Sequence, residues 1–289
     1  MAYDTYSPGK PTAILLRDLS TGTDHILDET GRRESIVGLS RHGDFAAHDG
    51  ETSISPDGSR VLFERDGKAR RWPDNVQSHL PDGFMAAAAD GEPEQVCELC
   101  TPRGFSSDGS VVLPQKYVQT DQNDDRIVAL DLRTRTEQDF LSQRDKPLYH
   151  AFFSWDDRWV VFKRLLWAGA RSPAQILIAQ VMHGAAADQA EWIIVTDGAY
   201  EDDKPQFSPD GNTVYFTSTR DGYLCIWAQR LDPMTKHPLG PPFAFEHFHN
   251  SEGRGGAYHQ FSSDLAVARD KILINLPHIN HDIWMTQMP

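Results

Sequence analysis

The sequence predicts an all-β fold, a β-propeller of four-stranded antiparallel blades, and three observations carry that prediction. First, Lys204 to Asp232 reads as three short strands joined by two tight turns, Pro209-Asp210-Gly211 and Arg220-Asp221-Gly222. Asp-Gly favours tight hairpins because glycine takes positive φ without steric cost and aspartate tolerates it. Second, Val214 and Phe216 alternate with Tyr215 and Thr217, the period of a half-buried strand. Third, the unit recurs. Ser55-Pro56-Asp57-Gly58 precedes Arg60-Val61-Leu62-Phe63, Ser107-Asp108-Gly109 precedes Val111-Val112-Leu113, and Ser154-Trp155-Asp156-Asp157 precedes Trp159-Val160-Val161-Phe162. Ser263-Asp264 lies upstream of Ile272-Leu273-Ile274, so the marker aspartates fall at 57, 108, 156, 210 and 264. A period of roughly fifty residues filled with short strands is the sign of a propeller.

The repeats organise nearly the whole chain, so residues 1–289 are expected to form one domain. Residues 1–11 read as a lead-in. Thr12–Leu19 and Asp24–Leu27 form a terminal hairpin spanning 12–27, and residues 28–50 read as a connecting loop. The first repeat, near 51–100, has strands at Thr52–Ser55, Arg60–Arg65, Phe84–Ala89 and Gln95–Leu99, with residues 66–82 inserted. The second, near 101–145, has Gly104–Ser106, Val111–Tyr117, Arg126–Leu132 and Glu137–Leu141. The third, near 146–198, has Tyr149–Ser154, Trp159–Leu165, Ala174–Val181 and Glu191–Val195. The fourth spans about 199–250. The fifth, near 251–289, has Tyr258–Ser262, Lys271–Leu276 and Asp282–Gln287 and no evident fourth strand. A ring closes best when strands from both termini share a blade, because an open edge leaves backbone groups unpaired. The terminal hairpin either completes the last blade or forms a partial blade of its own, or the chain is the C-terminal part of a longer propeller. The expected count is five blades plus the terminal hairpin, or six with one composite.

Composition narrows the partners. The formal net charge of −14 disfavours a phosphate backbone, so no nucleic-acid partner is expected. No apolar run reaches the roughly eighteen residues of a membrane span. The N-terminus lacks a basic segment ahead of an apolar one, which gives a cytoplasmic expectation, or a periplasmic one for a piece of a longer chain. Cys97 and Cys100 form a lone C-x-x-C, and Cys225 falls in a predicted strand. Structural thiols are the favoured reading, with a local disulfide or a metal half-site as alternatives.

The segments VCELC at 96–100, WIIVTDG at 192–198, DDKPQFSPDGNTVYFTSTRDG at 202–222, IWAQRLDPMTKHPLGPPFAFEHFH at 226–249 and DIWM at 282–285 carry a resemblance. They resemble the WD40-like repeats of the TolB-like propeller family. They look especially similar to the propeller portions of acidobacterial regulatory proteins, where a propeller often follows a kinase or winged-helix regulator. The resemblance implies a fold and a binding, sensing or scaffolding role; propellers host many functions. The kinase signatures are absent from this sequence.

The candidate chemistry is weighed residue by residue. Asp57, Asp108, Asp156 and Asp210 suit turn hydrogen bonding better than metal ligation. Asp121-Gln122-Asn123-Asp124-Asp125 starts like a calcium loop, but Arg126 and Leu132 stand where glycine and glutamate are required. Glu201-Asp202-Asp203 either place carboxylates near a central channel or stay in a solvated loop, the reading that acidic residues usually obey. Among twelve histidines, His247, His249 and His259 cluster, and His150 holds a matching place in the third repeat. If these four converge on the axis they could hold a divalent metal, the one cofactor the sequence suggests; hydrogen-bonded or surface histidine is the competing reading. Glu252-Gly253-Arg254-Gly255-Gly256 suits a blade-connecting loop. Most tryptophans suit packing between blades, while Trp72 with Arg70 and Arg71 suits a partner surface. No G-x-S-x-G nucleophile elbow occurs, and no catalytic residue is assigned.

The function expected is therefore a non-catalytic binding or sensor module that presents a protein or small ligand at the propeller mouth. The alternative is a metal-dependent lyase or hydrolase acting on acidic oligosaccharides in the channel, and a third reading is a purely structural domain.

Overall fold

The computed structural model describes residues 2–4, 13–18, 24–29, 38–42, 44–48, 52–66, 70–71, 77–78, 80–88, 91–117, 125–144, 146–166, 173–247, 264–276 and 282–287. Their strands form six antiparallel sheets of four or five strands and one two-stranded ladder. From the innermost strand outward, sheet I is Gly38–Leu39, Phe45–His48, Ala13–Asp18 and Asp24–Glu29; sheet II is Ser53–Ile54, Arg60–Asp66, Pro81–Ala87 and Glu94–Cys97. Sheet III starts at Cys100–Thr101. Its second strand is broken into Val111–Val112 and Gln115–Lys116, followed by Arg126–Asp131 and Thr136–Leu141. Sheet IV is Leu148–Phe153, Trp159–Leu165, Ala174–Met182 and Ile193–Ile194, with Ala185–Ala186 pairing beside them. Sheet V is Asp202–Phe207, Thr213–Ser218, Cys225–Arg230 and Phe243–Glu246; sheet VI is Leu265–Val267, Lys271–Leu276, Asp282–Gln287 and Ala2–Asp4. Each sheet touches the next, and the innermost strand of VI touches that of I, which makes the ring of a β-propeller. No described helix is long and apolar enough to cross a membrane.

Packing explains the strand sequences. Thr213–Ser218 is buried on both faces apart from its first residue, so the half-buried pattern expected for it is corrected. Val214 and Phe216 pack with Val161, Ile176 and Ile178 of sheet IV, while Tyr215 packs with Leu265, Ile272 and Ile274 of sheet VI. Alternate residues thus serve opposite neighbours, because a sheet sandwiched between two others has no solvent face.

Three segments differ from expectation. Ala2–Asp4 is no lead-in: it pairs with Asp282–Trp284 and supplies the missing fourth strand of sheet VI. Residues 28–50 are no mere connection. Gly38–Leu39 and Phe45–His48 pair in series with Ala13–Asp18 and turn the terminal hairpin into a full sheet. Tertiary pairing decides this, since neither strand carries a β-branched run. In sheet VI the inner turn lies at Ala268-Arg269-Asp270, not at Ser263-Asp264, so Asp264 precedes the inner strand and Asp270 takes the turn position. Tyr258–Ser262 lies outside the described residues. The second repeat is also adjusted: Gly104–Ser106 is not a strand, and Leu113-Pro114 interrupts its neighbour, where proline offers no N–H to a ladder.

Within residues 66–82, Arg70–Arg71 pairs with Gln77–Ser78, continuing the hairpin begun at Asp66 and Pro81. Cys97 and Cys100 are joined in a disulfide that links the outer strand of sheet II to the inner strand of sheet III. The alternative reading of the C-x-x-C thus holds over two structural thiols. Cys225 carries no disulfide and is buried.

Candidate binding channel

The inner turns follow one design. The hydroxyls of Ser55, Ser106, Ser154 and Ser208 donate to Asp57, Asp108, Asp156 and Asp210 at 2.6–2.7 Å. The same hydroxyls accept from the backbone N–H groups of Arg60, Val111, Trp159 and Thr213 at 2.9–3.0 Å. Each aspartate also accepts a backbone N–H two residues on, which nails the turn. These hydrogen bonds pull the carboxyls of Asp57 and Asp108 down, Asp57 to about 2, so the turn charges persist in acid. The five turns bearing Asp57, Asp108, Asp156, Asp210 and Asp270 stand at the same end of their inner strands, and all five aspartates are exposed. They ring that mouth with carboxylates, an acidic crown in which Asp156 pairs with Arg158 at 2.6 Å and Asp270 with Lys271 at 2.9 Å.

At the other end of the inner strands lies a buried ionic cluster. His150, Lys204 and Asp264 each sit four residues before the start of their inner turn, at Ser154, Ser208 and Ala268. His150 and Lys204 both have φ of 52°, at points where the pairing register slips. Left-handed backbone at a bulky residue costs of order 1–3 kcal/mol and survives only where surroundings over-determine it. Those surroundings are ionic. Asp203 Oδ2 lies 2.8 Å from Lys163 Nζ, and its Oδ1 lies 2.6 Å from His150 Nδ1. Lys204 Nζ is 3.2 Å from His150 Nε2. An ammonium only donates, so Nε2 is the acceptor and Nδ1–H donates to Asp203. Burial first, then the Lys204 charge, pushes His150 down to about 3, against the pull of Asp203. Burial pushes the Asp203 carboxyl up, but Lys163, His150 and Lys204 outweigh it and hold it well below the usual range. Asp202 is buried too, accepting from Ser218 Oγ at 2.6 Å and from Arg220 Nη2 at 2.8 Å with both oxygens. The solvated-loop reading of residues 201–203 is therefore corrected for Asp202 and Asp203. Their burial is sustained by these cations, since a buried charge must be paired.

Two arginines span the ring. Arg41, in the inner turn of sheet I, donates to the carbonyl of Trp155 in sheet IV at 3.0 Å and lies over its ring at 5.1 Å. Arg103, in sheet III, pairs with Asp264 of sheet VI at 3.5 Å with both side chains 3 % exposed. Sheets I and IV, like III and VI, are three steps apart in either direction, so both contacts cross the axis. Arg41 and Asp264 both line a cavity of about 80 Å³, whose wall includes Phe105, Phe152, Trp155 and Gln206. A chamber of that size holds a few waters at roughly 30 Å³ each, whereas ligand pockets run to about 300 Å³ or more.

The predicted metal residues divide. His150 lies on the innermost strand of sheet IV with both ring nitrogens engaged. His247 follows the outermost strand of sheet V, three strands out, or roughly 14 Å at 4.8 Å per strand. The structure does not bring these two together. His249 and His259 lie outside the described residues, as do Trp72, residues 121–124 and the Gly-rich run at 252–256. Asp125 is buried, with the Tyr149 hydroxyl 3.4 Å away. The sequence reading missed Lys163, Lys204, Arg103 and Arg41. The signal for Lys204 and Asp264 was positional, four residues ahead of the inner turn; nothing local marked the two arginines.

No protein-family model matches the chain, and no curated protein matches it. Solved structures do. The Agrobacterium tumefaciens protein designated TolB is similar with a TM-score of 0.59 at 15 % identity, covering 96 % of this chain and 98 % of that one. TolB from Acinetobacter baumannii is similar with a TM-score of 0.53 at 16 % identity, covering 79 % of this chain and 48 % of that one. A prolyl endopeptidase is similar with a TM-score of 0.53 at 12 % identity, covering 98 % of this chain but 36 % of its own. The chain thus spans about half of the Acinetobacter protein and about a third of the endopeptidase. At such identities the likeness concerns the fold, and the fold is a β-propeller of the kind seen in TolB structures.

Proposed function

We propose that residues 1–289 form one binding module of the TolB-like kind, docking a protein segment on the mouth that carries the acidic crown. The observation that carries this is the braced axis among the described residues. Arg41 braces the mouth and the chamber beneath it is small, so recognition belongs to the surface formed by the inner turns. Loops on a rigid scaffold are where a propeller leaves side chains available. Five exposed turn aspartates around Arg41 and Trp155 favour a partner that is basic with an aromatic or apolar anchor. A regulatory partner is what the resemblance of segments 202–222 and 226–249 to TolB-like repeats implies, if the likeness extends to the propellers of acidobacterial regulators.

The test is a panel of labelled peptides of graded charge, titrated by fluorescence anisotropy at two salt concentrations. Basic peptides are expected to bind, more weakly at high salt, and Trp155→Ala is expected to weaken binding by about thirtyfold or more, the roughly 2 kcal/mol threshold of a hot-spot anchor. Charge-independent binding, or binding untouched by Trp155→Ala, sinks the reading. The lyase or hydrolase alternative requires an oligosaccharide in the channel, which the braced chamber is too small to admit unless Arg41 swings away.

A further inference from the structure

Away from the axis, the rim of sheet V gathers three side chains of different chemistry. Asp221 lies in the turn between Thr213–Ser218 and Cys225–Arg230, and Cys225 opens the latter strand. That strand pairs with Phe243–Glu246 through Ile226↔Glu246, and the antiparallel register places His247 opposite Cys225 at the next rung. The sequence thus brings together three residues from two chain segments at the end of one ladder. A carboxylate oxygen, the thiol sulfur and an imidazole nitrogen all lie within 4.8 Å of one another. His247 Nδ1 and Asp221 Oδ2 are 2.9 Å apart, and Asp221 Oδ1 accepts from the Tyr223 N–H at 3.3 Å, which orients the carboxylate.

We propose that Asp221, Cys225 and His247 bind Zn²⁺ through three protein donors, with the fourth position open to water or a small ligand. Zinc bonds of about 2.0–2.3 Å at tetrahedral angles separate donors by roughly 3.3–3.6 Å. The imidazole and carboxylate must part by a few tenths of an ångström and the thiol must close in by up to about 1.2 Å. One thiolate, one imidazole and one carboxylate select zinc over the hard ions calcium and magnesium, which take oxygen ligands. The site is built for one-sided access: Cys225 is fully buried, while the Asp221 side chain is 20 % and the His247 side chain 48 % exposed. The nearby Arg220 is committed to Asp202 at 2.8 Å and stacks over Trp227, so its charge has its own carboxylate. The His247 ring meets Trp227 edge-on with centroids 6.2 Å apart, which limits its rotation. Binding releases the thiol proton to solvent, so affinity rises with pH. This assignment stands independently of the peptide-binding reading, since it concerns the rim of sheet V and not the crown.

The test uses chelator-treated protein comprising residues 1–289 and Co²⁺ as the probe. The expected result is one cobalt per chain, with a thiolate-to-cobalt charge-transfer band in the near ultraviolet and visible ligand-field bands of a four-coordinate ion. Zn²⁺ should displace it. Cys225→Ser should abolish the charge-transfer band. His247→Ala should weaken uptake by more than about 100-fold, beyond the 10–100-fold of an outer-shell partner. His183→Ala, on another sheet and exposed, should change neither. If Cys225→Ser does not fold, His247→Ala and Asp221→Asn decide, since both alter more exposed side chains and circular dichroism reports their folding. Absence of uptake by the unmodified protein, or a band that survives Cys225→Ser or His247→Ala, overturns the proposal.

Discussion

His150 shows how much one side chain depends on its surroundings. It is a non-glycine residue at φ 52°, held between the Asp203 carboxylate and the Lys204 ammonium, and it stays neutral where an ordinary histidine would protonate. Its pKa falls from 6.5 to about 3 on folding, so between those values the unfolded chain binds the extra proton. Stability is therefore complete above pH 6.5 and is lost as the pH falls toward 3. Asp203, held low by Lys163, His150 and Lys204, adds a further loss in the same direction once the pH falls below 3.8. His150→Asn keeps an N–H for Asp203, tolerates the left-handed backbone and cannot titrate. Urea unfolding measured from pH 7 down to pH 4 is expected to show a shallower decline in this variant, by up to about 1.4 kcal/mol per pH unit. An unchanged slope would show that His150 titrates normally in the folded state.

At the scale of the element, the inner turn is the repeating device. Ser208 donates to Asp210 and accepts from Thr213 N–H, so its hydroxyl joins the two strands that the turn connects. Ser208→Ala removes both bonds in a buried setting, and a loss of about 1–3 kcal/mol in urea unfolding is expected. Sheet VI supplies the natural contrast. There the equivalent residue is Ala268, and its N–H reaches Lys271 O at 2.9 Å across a shorter turn that has no i+5 N–H to satisfy. That shorter turn is why the fifth marker aspartate was placed at 264 by the period and at 270 by the fold. A Ser208→Ala variant as stable as the parent would show that the backbone turn suffices in every sheet.

At the scale of the molecule, three N-terminal residues add an edge pairing to the contacts that close the ring. Ala2, Tyr3 and Asp4 pair with Trp284, Ile283 and Asp282, tying the first strand to the last full one. Deleting residues 1–4 exposes the edge of Asp282–Gln287, and edges are sites of both fraying and aggregation. The truncated chain is expected to melt several degrees lower, at about 2–4 °C per kcal/mol for a large domain, and to aggregate earlier on heating. A melting point equal to that of the parent would mean that the ring closes through its inner strands and the axial braces alone.

The propeller, its period and most of its strands were legible in the residues, because Asp-Gly turns and alternating apolar side chains are local signals. Trp159–Leu165, Thr213–Ser218, Lys271–Leu276 and Asp282–Gln287 follow from them at their observed bounds. The role of the turn aspartates was legible for the same reason: their partners lie within a few residues. What the chain alone could not disclose are the features made by residues far apart in sequence. Gly38–Leu39 and Phe45–His48 become strands only through the hairpin waiting to pair with them. Asp202 and Asp203 are buried only because Arg220, Lys163 and His150 surround them. Arg41 and Trp155, 114 residues apart, meet only across a closed ring. Local chemistry chose the strands and turns; the long-range pairing of charges and edges, whose cost of isolation no local pattern records, decided the channel.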